Sequence, residues 1–147
     1  MKMNVSFRNL GEVGSKLLRL SHQLEESLVD VKNTMAEEVK KEAVRSIEEG
    51  PKTGRIYRRE NPSRIHQASA PGEAPADDLG NLKNSITVSP STRHNVPAKV
   101  GSPLPYAADL EHGTPKILPR PWLWPAIEIV GSRTMNIFEE RLRRIVR

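Results

Sequence analysis

The sequence predicts an α+β fold: a small, mostly antiparallel sheet packed against a long N-terminal helix and a C-terminal helix, with a long loop that becomes ordered on assembly. Three features predict it. Ser15 to Glu49 contains neither Gly nor Pro and carries apolar residues in steps of three and four. Short alternating runs occur near Leu82–Ser89 and Val96–Val100. A second helical period follows Pro121 and Pro125. Helices grouped around a few short strands give a layered α+β domain, and 147 residues make one domain, 1–147.

Met3, Val5 and Phe7 alternate with polar residues and predict a first strand. Asn9 and Glu12 have capping-box spacing, in which each side chain satisfies the other's amide at a helix start. Val13, Leu17, Leu20, Leu24, Leu28, Val31, Met35 and Val39 then form one helical stripe, ended by Gly50-Pro51. Thirty-five residues from Ser15 to Glu49 span roughly 50 Å, against a diameter of about 40 Å for a compact chain of this size. Either the helix breaks without a breaker residue, or it projects from its own domain.

Residues 50–80 are rich in Gly and Pro (Gly50, Pro51, Gly54, Pro62, Pro71, Gly72, Pro75, Gly80) and lack an apolar period, which predicts an extended loop. Leu82, Ile86 and Val88 predict a strand, with a second at Val96, Ala98 and Val100 across the turn residues Ser89 to Thr92. Pro105-Tyr106 opens a short helix that stops at Gly113, and Ile117-Leu118 predict a brief strand. Ile127, Val130, Ile137, Phe138, Leu142 and Ile145 are the expected buried face of the last helix, with a bend at Gly131-Ser132. Pro121, Trp122, Trp124 and Pro125 are expected to anchor that helix, Trp122 in the core and Trp124 facing outward; Pro125 suits a first helical turn, where its missing amide is not needed.

Composition excludes several classes. With no cysteine there are no disulfides, thiolate metal sites or cysteine nucleophiles. Apolar residues are 36% of the chain with two each of Trp, Tyr and Phe, so the core is thin and aliphatic. No apolar run reaches the ~18 residues of a membrane span and the start lacks a signal-peptide pattern, so a soluble, unexported protein with no membrane partner is expected. The net charge of +5 is uneven: residues 1–50 carry eight Lys/Arg against nine Asp/Glu, whereas Lys52, Arg55, Arg58, Arg59 and Arg64 face only Glu60 within 51–70, and the last fifteen residues carry five Arg against two Glu. Such patches suit nucleic acid or an acidic partner surface.

Catalytic and metal chemistry find little support, and the expectation is a protein that is not an enzyme and holds no cofactor. His22, His66, His94 and His112 lack ligand spacing, and His22 reads as a solvated side chain. Asp109 and His112 are one helical turn apart, without a nucleophile or Gly-rich loop beside them. Gly50-Pro51-Lys52-Thr53-Gly54 lacks phosphate-loop spacing. Asp77-Asp78 reads as a cap. In the basic loop Tyr57 is the sole aromatic among the arginines, too few for base stacking. Arg55, Tyr57, Arg58, Arg59 and Arg64 remain candidates for a subunit interface or a DNA-facing surface.

Four stretches carry a family resemblance: Val5-Ser6-Phe7-Arg8-Asn9-Leu10 before the long helix; Thr53 to Arg59 continuing to Ala68-Ser69-Ala70-Pro71-Gly72-Glu73-Ala74-Pro75-Ala76; Gly80-Asn81-Leu82-Lys83-Asn84-Ser85-Ile86; and Tyr106-Ala107 with Glu111-His112-Gly113, then Arg120-Pro121-Trp122-Leu123-Trp124-Pro125-Ala126. Together they resemble the tail-component family of HK-type siphophages, small head–tail joining, neck and tail-completion proteins; Trp122 stands where that family usually has Phe. The resemblance implies a virion protein, assembled in the host cytoplasm, that forms a homo-oligomeric ring at the head–tail junction. The ring would be six-fold, with twelve-fold as the alternative. Its partners would be connector or stopper proteins and the major tail tube protein, and DNA would pass through it without sequence specificity. It also marks Tyr106, Glu111 and Gly113 as structural anchors beside Pro121, Trp122, Trp124 and Pro125. The alternative is a basic nucleic-acid-binding module acting as a monomer or dimer.

Overall fold

The computed structural model describes residues 10–60, 63–76 and 78–145, without the side chains of Arg59, Ile137, Arg141, Arg144 and Ile145. The chain is α+β: α1 (Leu10–Glu49), β1 (Ile56–Glu60), β2 (Ser63–Gln67), α2 (Asn81–Ser85), β3 (Thr87–Ser89), β4 (Lys99–Gly101), α3 (Pro105–His112) and α4 (Trp124–Ile145). The strands form two separate antiparallel pairs, β1–β2 and β3–β4. The strand expected at Met3–Phe7 and the capping box at Asn9 lie outside the described residues.

At 40 residues, α1 is about 60 Å long. Its C-terminal half is the spine of the core: Val39, Ala43 and Ile47 recur one turn apart and pack with Leu82, Ile86, Ala107, Trp122, Ala126 and Val130. Alanines at 43 and 126 let α1 and α4 approach closely. The N-terminal turns run past this body, leaving Leu10, Val13, Leu17 and Leu18 exposed. The helix stops at Gly50, whose amide donates to Ser46 O at 3.0 Å; a Cβ there would sit 2.3 Å from that same oxygen, so Gly50 admits no side chain.

Three expectations are corrected. The segment 50–80 is not wholly loop, because β1 and β2 pair within it, in register from Ile56↔Gln67 to Glu60↔Ser63. Both faces of this hairpin lie largely in solvent, so its sequence carries no apolar alternation. The strand expected from Leu82 begins instead as the helical turn α2, with β3 confined to Thr87–Ser89. Leu82 and Ile86 are both buried, and a spacing of four satisfies a helix as well as a strand. At Ile117-Leu118 there is a single bridge, Thr114↔Ile117, and both side chains are exposed.

On α4 the buried positions are Ala126, Val130 and Thr134, one turn apart, while Ile127 is exposed. Phe138 and Leu142 are half-buried, the expected contributions of Ile137 and Ile145 fall outside the described side chains, and the helix runs unbroken through Gly131-Ser132. Glu42 on the inner face of α1 takes Arg45 at 2.5 Å and lies 3.9 Å from Arg133 of α4. The β3–β4 turn is clamped to α1 by Asn33, whose Nδ2 donates to Ser91 O (3.1 Å) and whose Oδ1 accepts the Ser91 amide (2.7 Å). Lys32 donates to the carbonyls of His94 and Val96 beside it.

Candidate functional site

A densely bonded polar feature joins α3 to α4. Glu111, in the last turn of α3, accepts three backbone amides at the start of α4: Trp122 N (2.8 Å) and Leu123 N (2.9 Å) on Oε2, and Trp124 N (2.8 Å) on Oε1. The first amides of a helix have no intrahelical partner, and a carboxylate there also meets the positive end of the helix dipole. Leu110 O accepts the Arg120 amide at 2.7 Å and fixes the approach of the chain. Gly113 closes α3 at φ 76°, and a Cβ there would lie 2.8 Å from Ile117 O; the turn that brings residue 122 back to Glu111 requires glycine.

This clasp splits the two tryptophans. Trp122 is 3% exposed, and its Nε1–H donates to Ala107 O at 3.2 Å. Trp124 is 62% exposed, and its Nε1–H donates to Glu128 at 3.0 Å. Pro121 and Pro125 flank them half-buried, and Tyr106 at the start of α3 is partly exposed. Leu123, Trp124 and Ile127 line a shallow cleft of about 370 Å³ against Glu111, His112 and Pro121.

The basic candidates sit on the β1–β2 hairpin. Arg55, Tyr57, Arg58 and Arg64 are exposed, and Arg55 lies over the Tyr57 ring at 5.6 Å. The backbone of Arg59 stands opposite Arg64, and its side chain lies outside the described ones. Arg64 and His66 reach Asp78 at 3.0 and 3.4 Å, so Asp78 ties the hairpin to the body; Asp77 is outside the described residues. The hairpin and the α3–α4 clasp are thus separate places on the molecule. Asp109 and His112 are both exposed, as is His22, which pairs with Glu26 at 3.3 Å. Among the described residues no group of His, Asp and Glu could hold a metal ion, and no helix is long and apolar enough to cross a membrane.

Sequence reading missed a second carboxylate lock. Glu73 accepts the Thr53 hydroxyl (2.5 Å), the Thr53 amide (3.0 Å) and the Ala70 amide (2.7 Å), closing the base of the hairpin across twenty residues of chain. The Thr53 hydroxyl first, then the two amides, hold its carboxyl below the usual range. A lowered folded-state pKa means the lock's contribution is full above the unfolded carboxylate value of about 4.3 and is lost as pH falls through the folded value. In an acid titration the Thr53 and Ala70 amide resonances should move together at a pH below that of an ordinary glutamate, and Glu73→Gln should abolish the transition. A transition at the ordinary carboxylate pH contradicts the lock.

Set against protein-family models, curated proteins and solved structures, the chain matches none of them.

Proposed function

We propose that the protein is a structural subunit of a ring at the head–tail junction of a long-tailed phage, joining the tail tube to the head connector and letting DNA pass. The observation that carries this reading is the projecting N-terminal part of α1, where Leu10, Val13, Leu17 and Leu18 stand exposed on a helix that outruns its own core. An apolar stripe of that kind calls for a cover from outside the subunit. The β1–β2 hairpin adds to it, since a lone two-stranded sheet is marginal in water and this one exposes Ile56, Tyr57 and Ile65. The resemblance of four stretches to siphophage tail-component proteins supplies the location and the six-fold expectation. A closed ring needs two different adhesive faces on each subunit, and the helix stripe and the hairpin are two such faces.

Mass photometry of the purified chain, alone and with connector and tail-tube proteins, tests this. A discrete multiple of the 16.5 kDa chain and a ring with an axial channel in electron micrographs are expected. A species that stays monomeric in every mixture and never enters particles refutes the reading. The exposed arginines beside Tyr57 favour a second one, a monomeric or dimeric nucleic-acid-binding module. It requires salt-sensitive DNA binding by the unassembled chain, because phosphate contacts release counterions.

A further inference from the structure

We infer that the segment Met3–Phe7 of one copy docks as an added strand along the outer edge of β4 in a second copy, over an apolar groove between α1, β4 and α4; the inference rests on the ring reading above. The groove has a volume of about 460 Å³, with Met35 and Val39 of α1 as its floor, Pro97, Ala98 and Val100 along one wall and Ile127 of α4 on the other. Lys32 is the one charged group in its lining, and that ammonium is already taken up by the carbonyls of His94 and Val96. The lining includes residues of β4 and none of β3, so the groove opens on the side of β4 away from its partner strand.

Among the described residues β4 pairs with β3 alone. Each of the two strands is three residues long, and a lone two-stranded sheet is marginal in water. An unpaired edge offers backbone donors and acceptors to an extended chain, and the alternate side chains of that chain then set which one is accepted. Val100 stands opposite Val88, and Ala98 and Val100 both line the groove. A strand added beyond β4 would carry that face on across the groove toward Ile127. Its side chains must therefore be apolar at every second residue and polar between.

Met3, Val5 and Phe7, alternating with Asn4, Ser6 and Arg8, have that pattern. A strand from Met3 to Phe7 extends about 14 Å and the wall from Asn95 to Val100 about 17 Å, so the lengths match. The groove of the segment's own subunit is out of reach. The chain from Leu10 back to Met3 spans at most about 25 Å, whereas α1 rises about 38 Å between Leu10 and Met35. Laid back on its own α1, the segment would cover Val13 and Leu17 but find no strand for its backbone. A second copy supplies both the apolar seat and the edge, and nucleic acid would find no free charge in the lining. Because segment and groove are different surfaces, the contact is head-to-tail and propagates from subunit to subunit.

Two variants of the full chain test this: Val5→Asp with Phe7→Asp, and Pro97→Glu with Ile127→Glu, the latter two at exposed positions. Each should weaken self-association about a hundredfold in sedimentation velocity through the lost burial of two apolar side chains, with helix content unchanged by circular dichroism. Mixed in equal amounts they should form pairs of twice the 16.5 kDa chain and grow no further. The intact segment of one enters the intact groove of the other, and the reciprocal contact is broken on both sides. Hydrogen exchange at the amides of residues 98–101 should be slow in the assembled parent and fast in the segment variant, a comparison that does not need the groove variant to fold. Variants that associate as the parent does, two folded variants that fail to pair, or fast exchange in the assembled parent overturn the docking and leave the ring reading standing. A lower melting temperature for the segment variant, at a dilution where the parent is monomeric, places the segment on its own subunit and also overturns the docking. A parent chain that stays monomeric in every mixture sinks both.

Discussion

Trp122→Ala is expected to lower stability by about 3–5 kcal/mol, the range for truncating a buried aromatic to alanine. Trp122 is 3% exposed and packs in the cluster that holds Ile47, Ile86, Ala107 and Val130. Its removal leaves a void that helices α1 and α4 cannot close without breaking their contact, and it strips Ala107 O of the indole donor. In a domain whose total stability is about 5–15 kcal/mol, the melting temperature should fall by about 10–15 °C and assembly should fail because the fold fails. Trp122→Phe keeps most of the packing and loses the N–H, so it should cost about 1–2 kcal/mol. Trp124→Ala removes a side chain that is 62% exposed and should change stability by less than about 0.5 kcal/mol, while weakening assembly if a neighbour covers the cleft beside Ile127. Urea unfolding followed by circular dichroism separates these cases. A midpoint for Trp122→Ala equal to that of the parent would mean that Trp122 is no part of the core.

The long helix was legible because two independent signals coincide on it: no helix breaker from Ser15 to Glu49 and apolar steps of three and four. Those steps reveal a stripe without revealing what covers it. Leu17 and Ile47 look equivalent in the sequence, yet Leu17 is 61% exposed and Ile47 is fully buried; only the length of the helix against the size of the body foretold a projecting end. The β1–β2 hairpin was hidden for a related reason. Alternation in a sequence records burial of one face, and the described side chains of β1 and β2 leave both faces of the hairpin largely in solvent. At the site, the tryptophan pair could be placed because flanking prolines fix the helix start. The carboxylates could not be placed from spacing: Glu73 meets Thr53 twenty residues away and Glu111 meets Trp122 eleven away. Capping rules describe acids within the first turn of the same helix, so an acid borrowed from the preceding helix escapes them. Glu111 was marked only through the family resemblance; the residues themselves drew attention to its neighbours Asp109 and His112, one helical turn apart, and offered no chemistry for them.

Glu111→Ala is expected to cost about 2–3 kcal/mol, the loss of charge-assisted hydrogen bonds to helix-terminal amides. Not all three bonds weigh equally. The amides of Trp122 and Leu123 are partly buried and share Oε2, whereas the Trp124 amide lies at an exposed position on Oε1, where water can replace the carboxylate. That asymmetry predicts an order among variants. Glu111→Gln can turn its carbonyl oxygen toward Trp122 and Leu123 and lose only the Trp124 bond, so it should cost about 1 kcal/mol. Glu111→Asp keeps the charge but is a methylene shorter and cannot span from α3 to the start of α4, so it should approach the alanine value. Urea midpoints for the three variants give the order, and hydrogen exchange at the amides of residues 122–124 locates the loss: all three should exchange faster in Glu111→Ala, and mainly Trp124 in Glu111→Gln. The same carboxylate holds the backbone of the buried tryptophan and of the exposed one. Releasing it should therefore disturb the surface around Trp124 as well as the core, and Glu111→Ala should impair assembly more than its loss of stability alone accounts for. Assembly that recovers fully once the variant is cooled until as much of it is folded as of the parent would restrict Glu111 to a folding role.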